Sequence, residues 1–282
     1  MKIKILLITL LLSYISLNAD DLRLQIDQLS NNTNHKIIDV RKKELYLEGH
    51  IKNALNFPID LSYDNKKTSG KLVELNKMQK ILRDLGLDTN DKIVIYDDGN
   101  FFDAARLFWA LEVYGFKDVK LLNGGFDEWE TLGLPVSKDV VTPSKSKYIA
   151  SIDNKKLATK FLTHIATKSP SKIIIDARIN NAYIGKESKA KRFGHIPKAI
   201  NIPADHNITT NGIPKLKDIK ELEKTYKNLD KNKNIIIYCT IGRVSASNYF
   251  ALRQLGYNVS NYDASWKEWG NDFDLPIVKI LE

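Results

Sequence analysis

Cysteine is almost missing from this chain: one residue, Cys239, in 282. A single thiol closes no internal disulfide, so packing alone must hold the fold. Nor do the five histidines, His35, His50, His164, His195 and His206, stand at metal-ligand spacing with a second cysteine. No metal and no cofactor are therefore expected. Long apolar runs are scarce too. The longest, from Ile5 to about Leu17, falls short of the roughly 20 residues that span a bilayer. Acidic excess is absent, the formal net charge being +9, but the lysines are scattered and no stretch interleaves basic with aromatic residues. That pattern excludes a nucleic-acid groove and leaves an anion-tolerant surface.

What is present is ordinary globular material, 43% hydrophobic and 27% charged, in a chain long enough for two cores. Residues 1–19 read as a secretory signal peptide, with Lys2 and Lys4 before the apolar run and an expected cut after Ala19. The mature protein is expected in the periplasm or outside the cell, without stable membrane insertion. An uncleaved anchor is the alternative.

An exported protein with one free thiol needs a reason to keep it. Cys239 closes the apolar run Ile235 to Tyr238 and opens the turn Thr240-Ile241-Gly242-Arg243-Val244, which feeds a helical pattern from Ser245. A strand ending in a short loop before a helix presents several backbone N–H groups to one point, where the helix dipole also favours negative charge. A thiol there ionises more readily than a free one, whose pKa is about 8.5. The plain alternative is a small apolar core residue.

The chain also repeats itself. Ile37-Ile38-Asp39-Val40-Arg41, Gly49-His50-Ile51 and Ala54 to Pro58 recur as Ile174-Ile175-Asp176-Ala177-Arg178, Gly194-His195-Ile196 and Ala199 to Pro203. Lys92 to Asp97 answers Asn234 to Cys239, and Asn123-Gly124-Gly125-Phe126 through Trp129 answers Asp263-Ala264-Ser265-Trp266 through Trp269. Short β-branched runs alternate with segments of helical period (Asn76–Leu85, Ala104–Tyr114, Ile219–Asn228, Ser245–Leu255), which predicts an α/β fold with a mostly parallel sheet in each copy and helices on both faces. Ligands of such sheets sit beyond the carboxyl ends of the strands, where Cys239 lies. The stretch from about Val136 to Lys147 has neither period and joins the copies. It divides the chain into 20–147, with Asp97 at the cysteine position, and 148–282.

These four motifs, in order and duplicated, resemble the tandem rhodanese-like sulfurtransferases, which include the thiosulfate and 3-mercaptopyruvate enzymes. The resemblance covers the mature chain. It implies a double displacement in which Cys239 takes the outer sulfur of a small anionic donor as a persulfide and passes it to cyanide or a thiol. Asp97 cannot accept sulfur, so the first copy is expected to help form the cleft without a second site. Thr240, Ile241, Gly242 and Val244 supply the loop around the sulfur, Gly242 allowing backbone angles closed to other residues. Arg243 is placed to meet the sulfonate of thiosulfate, since a guanidinium binds oxyanions in pairs. The resemblance adds Arg178 and Arg192 as pocket arginines, although Arg178 equally suits an ion pair and Lys191 offers itself in place of either. Trp266 is a candidate wall of the cysteine pocket, Trp269 and Trp129 are core, and His50 and His195 serve the fold. Ser245 either caps its helix or bonds the sulfur. Two other readings stay open: a persulfide carrier without turnover, and a cysteine phosphatase, whose arginine stands further along the loop than Arg243.

Overall fold

A computed structural model of the chain describes residues 21–31, 34–64 and 69–280. The expected signal segment, 1–19, lies outside them. Each copy folds around a five-stranded sheet, all parallel, in one order. In the first this runs Arg23–Leu24, Asp118–Leu122, Lys92–Tyr96, Lys36–Asp39, Leu55–Asn56; in the second, Leu157–Ala158, Val259–Tyr262, Asn234–Tyr238, Lys172–Asp176, Ala199–Asn201. The β-branched runs are the three inner strands of each sheet. The outer strands are two or three residues long, too short to show alternation.

Side-chain alternation then sorts the helices. Ile93 and Ile95 face helices Leu75–Asp84 and Phe102–Val113, while Val94 and Tyr96 turn to the other side with Tyr46 and Trp129. The second copy repeats this, Ile235 and Ile237 against Ile236 and Tyr238. Trp269, like Trp129, is core as expected.

One core runs through both copies, because helix Phe102–Val113 packs against its own counterpart, Ser245–Gln254. Phe108 meets the edge of Phe250 with ring centroids 4.9 Å apart. Across the same seam Glu112 receives Arg253 at 2.8 Å, and Trp109 Nε1 donates to the Lys156 carbonyl at 2.8 Å. The connector read from Val136 begins differently from expectation. Val136–Ser137 is a strand paired antiparallel with His50–Ile51, and the bridge between His195 and Val278 takes that place in the second copy. No helix among the described residues is long and apolar enough to cross a membrane.

Candidate active site

The central strand Asn234–Tyr238 delivers Cys239 to the carboxyl edge of the sheet, beside the end of strand Lys172–Asp176. Its side chain is 1% exposed and packs with Ala177, Ala204, Phe102 and Val244. The loop is pinned from outside. Trp266 N–H donates to the Cys239 carbonyl at 3.0 Å and Lys267 N–H to that of Thr240 at 2.9 Å, so the first turn of helix Ser265–Trp269 anchors both peptides. Cys239 N–H in turn donates to Ser265 Oγ at 3.1 Å. Ser265 holds φ at 53°, the left-handed region that a serine rarely enters, at the position where the first copy has Gly125. Gly242 has φ 67°, and a Cβ there would lie 2.6 Å from the Asp263 carbonyl, so this position admits only glycine.

Along the loop that follows Cys239 the donors are unspent. The backbone N–H groups of Thr240, Ile241, Gly242, Arg243 and Val244 meet no acceptor among the described residues. Ser245 Oγ lies 3.4 Å from Cys239 Sγ and 2.8 Å from Asn261 Oδ1. This hydroxyl, for which capping was one expectation, does not cap its helix; Val244 holds that position and no side-chain oxygen serves it. The first copy shows the same cradle occupied. There Gly99 and Phe101 N–H donate to Asp97 Oδ1 at 3.0 and 3.2 Å, and Ala104 N–H to Oδ2 at 3.1 Å. Burial still raises the Asp97 carboxyl to about 6 against those three bonds.

All three candidate arginines are engaged by partners within the protein. Arg178 is locked on Asp176 at 2.6 Å and on the Gly194 carbonyl at 2.7 Å, over the Trp266 ring at 4.5 Å. Tyr238 completes the cage through Asp176 Oδ2 at 2.6 Å, and burial beside that carboxylate pushes its phenol well above the usual range. Arg41, Asp39, Gly49 and Tyr96 build the same cage in the copy that has no thiol. A device present on both sides serves the fold; Arg178 forms the ion pair that was one of its two readings, while the same residue lines the cavity beside Thr240. Arg192 turns from the sulfur altogether. It donates to the carbonyls of Leu275 at 2.7 Å and Trp269 at 2.8 Å, bracing the C-terminal segment. Arg243 bonds Asp103 of the first copy, its Nη2 at 2.8 Å from Oδ2. Its partner therefore comes from the other domain.

The opening to Cys239 is a cavity of about 480 Å³, in which Phe102 of the first copy faces Ala177, Ile179, Ala182, Ala204, Thr240 and Val244. Arg178, Lys189, Glu187 and Asp205 supply its charge. Lys189, whose ammonium shows no ion pair, is the cation here, whereas Lys191 lies outside on an exposed turn. Trp266 is fully buried and reaches this cavity only through Arg178 and Ser188, to which its Nε1 donates at 3.0 Å. Ile241 packs toward the main core. A larger cavity, about 690 Å³, opens at the opposite end of the strands around Lys172 and Asn234, with no thiol near it.

Both histidines are structural in form, His50 stacked on Tyr46 and His195 on Tyr183 at centroid distances of 3.8 and 3.9 Å. The groups missed from sequence are Ser265, Asn261, Phe102, Asp103 and Arg106. Asp103 and Arg106, three residues apart in a helix Phe102–Val113 whose one other charge is Glu112, were the available sign. Among the described residues no cluster of His, Cys, Asp and Glu suits a metal.

The sequence pattern of the Rhodanese-like domain matches residues 23–132 and again 157–272. A Mycobacterium tuberculosis protein, provisionally named a thiosulfate sulfurtransferase, is 34% identical over 246 residues, 82% of this chain and 87% of its own. The sulfur carrier protein TtuD of Thermus thermophilus is 32% identical over 251 residues, 83% and 87%. The crystal structure of SseA from Escherichia coli, described with 3-mercaptopyruvate sulfurtransferases, superposes with a TM-score of 0.76 at 27% identity, covering 86% of this chain and 98% of SseA. With two matching domains, one cradled thiol and these relatives, the chain belongs to the rhodanese family of sulfurtransferases.

Proposed function

We propose that the protein moves a sulfane sulfur from thiosulfate, through a persulfide on Cys239, to cyanide or a thiol. The observation that carries this is the run of five N–H groups after Cys239 that meet no acceptor among the described residues, set against the equivalent loop of the first copy, whose N–H groups bond the Asp97 carboxylate. A cradle that binds an oxyanion in one domain suits an anionic sulfur in the other.

In the first step the Cys239 thiolate attacks the outer sulfur of thiosulfate. A new S–S bond forms as the old one breaks, sulfite departs with the bonding pair, and the terminal persulfide sulfur carries the charge. The loop N–H groups and the Ser245 hydroxyl then face that charge. Cyanide or a thiolate attacks the outer sulfur next, releasing thiocyanate or a new persulfide and restoring the Cys239 thiolate. Lys189 gives the donor's sulfonate its partner at the cavity mouth, and the apolar wall of Phe102, Ala177 and Ala204 keeps water from the persulfide. Export, and hence a periplasmic acceptor, rests on residues 1–19.

Intact mass of the purified protein before and after thiosulfate, with sulfite and thiocyanate measured alongside, tests this. One sulfur gained at Cys239 with turnover is expected. The likeness to TtuD favours a carrier as the second reading, and loading without turnover would establish it. Loading by mercaptopyruvate alone would change the donor. No loading by either would end the sulfur-transfer reading.

A further inference from the structure

The first copy has no thiol, yet it sends a buried cation into the loop of the second. Arg106, on helix Phe102–Val113, is 0% exposed. Its Nη1 donates to the Gly242 carbonyl at 3.1 Å and its Nη2 to the Gly70 carbonyl at 3.0 Å, while Nε has no partner among the described residues. The guanidinium lies 4.2 Å over the Tyr63 ring and 4.8 Å from that of Trp109. Among the described residues no carboxylate hydrogen-bonds it; its charge is met by two carbonyls, by the two rings and, through space, by the Asp263 carboxylate, whose pKa burial raises and this charge lowers. Burying a charge that no carboxylate bonds is costly, and such a group invites a functional explanation.

We infer that Arg106 is a positioning residue for Cys239, holding the loop's anion cradle in shape from across the domain seam. A trans peptide is planar, and its C=O and N–H point in opposite directions. Fixing the Gly242 carbonyl on Arg106, with Asn261 Nδ2 at 3.1 Å as its second donor, therefore aims the Arg243 N–H away from Arg106. Packing leaves this peptide little room to turn. A Cβ on Gly242 would lie 2.9 Å from Arg106 Nη1, and one on Gly70 2.9 Å from the Ile241 Cα. The buried guanidinium also sets a positive charge behind a loop that must hold an anionic sulfur. The thiol-free domain thus has a task in the chemistry beyond walling the cavity.

The inference rests on the persulfide reading, and the test separates the two. Single-turnover loading by thiosulfate and alkylation of Cys239 by iodoacetamide, which needs no sulfur donor, are measured on the full chain and on Arg106→Met, Arg106→Gln and Arg106→Lys. Both neutral variants are expected to lower the limiting loading rate and the alkylation rate about tenfold, with half-saturating thiosulfate within about twofold, since Arg106 does not line the cavity. Arg106→Lys should recover to within about threefold. A purely structural role would lower loading amplitude or Tm and leave the limiting rate unchanged. A folded neutral variant loading and alkylating at the parent rate overturns the inference, and Arg106→Gln gives that reading where Arg106→Met does not fold. If the parent protein loads from neither thiosulfate nor mercaptopyruvate, the sulfur-transfer reading falls, while the alkylation rates still decide the role of Arg106.

Discussion

The central strands of the two copies end in equivalent loops, anchored by equivalent bonds. Phe126 and Asp127 N–H hold the carbonyls of Asp97 and Asp98, as Trp266 and Lys267 hold those of Cys239 and Thr240. What differs is the first side chain. Asp97 folds back and takes two loop N–H groups and one from the first turn of the following helix onto its own carboxylate, so the first cradle is filled from within. Cys239 is too short and has too weak an acceptor to do this, and the donors stay free for an atom brought from outside. An anion cradle is thus a product of the strand, loop and helix geometry, and one residue decides whether it serves structure or chemistry.

Exchanging the two residues gives the largest expected effect. Cys239→Ser should abolish sulfur loading, a loss of more than about a thousandfold, with the fold retained. Adding Asp97→Cys to it should not restore loading, because Arg106 and the cavity at Phe102 serve only the second loop. Mass spectrometry decides this, and a loaded first copy would break the comparison. Next in size come the twin cages. Arg41→Met and Arg178→Met each strand a buried carboxylate, Asp39 or Asp176, so each should cost about 3–5 kcal/mol in urea unfolding. Similar costs would mark both as devices of the fold, and a much smaller cost for Arg178 would return it to substrate binding.

These cages explain where sequence reading stopped. The repeat, the inner strands, the helices and the position of Cys239 were readable because each leaves a local mark: β-branched runs, a 3.6-residue period, a glycine after a strand end. Arg178 and Arg243 were equally visible as residues, but a side chain's partner is fixed by tertiary contact. Asp103 and Arg243 lie 140 positions apart, and nothing in either segment names the other. The duplicated Asp-x-Arg motif did hold the answer for Arg178. By the argument that made His50 and His195 structural, a residue shared with the copy lacking a thiol serves the fold. Arg106 left only the faint sign of a charge in an apolar helix, since its meaning depends on the Gly242 carbonyl of the other domain.

Between the two loops pH should also discriminate. Asp97 has a carboxyl raised to about 6 by burial, so the folded state holds its proton where the unfolded chain, near the usual value of about 3.8, has lost it. Its stabilising contribution is present below about pH 4 and is lost as pH rises to about 6, at up to about 1.4 kcal/mol per pH unit. Asp97→Asn should remove this slope from urea unfolding measured across the interval, and an unchanged slope would show that the carboxylate is better satisfied than its burial suggests. Smaller still is the cost of Ser245→Ala. Loss of one hydroxyl 3.4 Å from the sulfur should slow loading about tenfold in single-turnover kinetics, with Cys239 still able to load.

The least effect is expected where the copies touch through partly exposed charge. Asp103 and Arg243 have side-chain exposures of 21% and 31%, a setting in which an ion pair contributes about 0–1 kcal/mol. Asp103→Asn should therefore leave Tm nearly unchanged. It would release Arg243 from a carboxylate whose hydrogen bonds hold its guanidinium charged and turned toward the first copy. A freed guanidinium beside the loop is then available to the sulfonate, and half-saturating thiosulfate should fall about threefold, an effect that added salt erases. If affinity instead drops, Asp103 is needed to orient Arg243 toward the donor, and the first copy reaches the chemistry through two residues, Arg106 and Asp103.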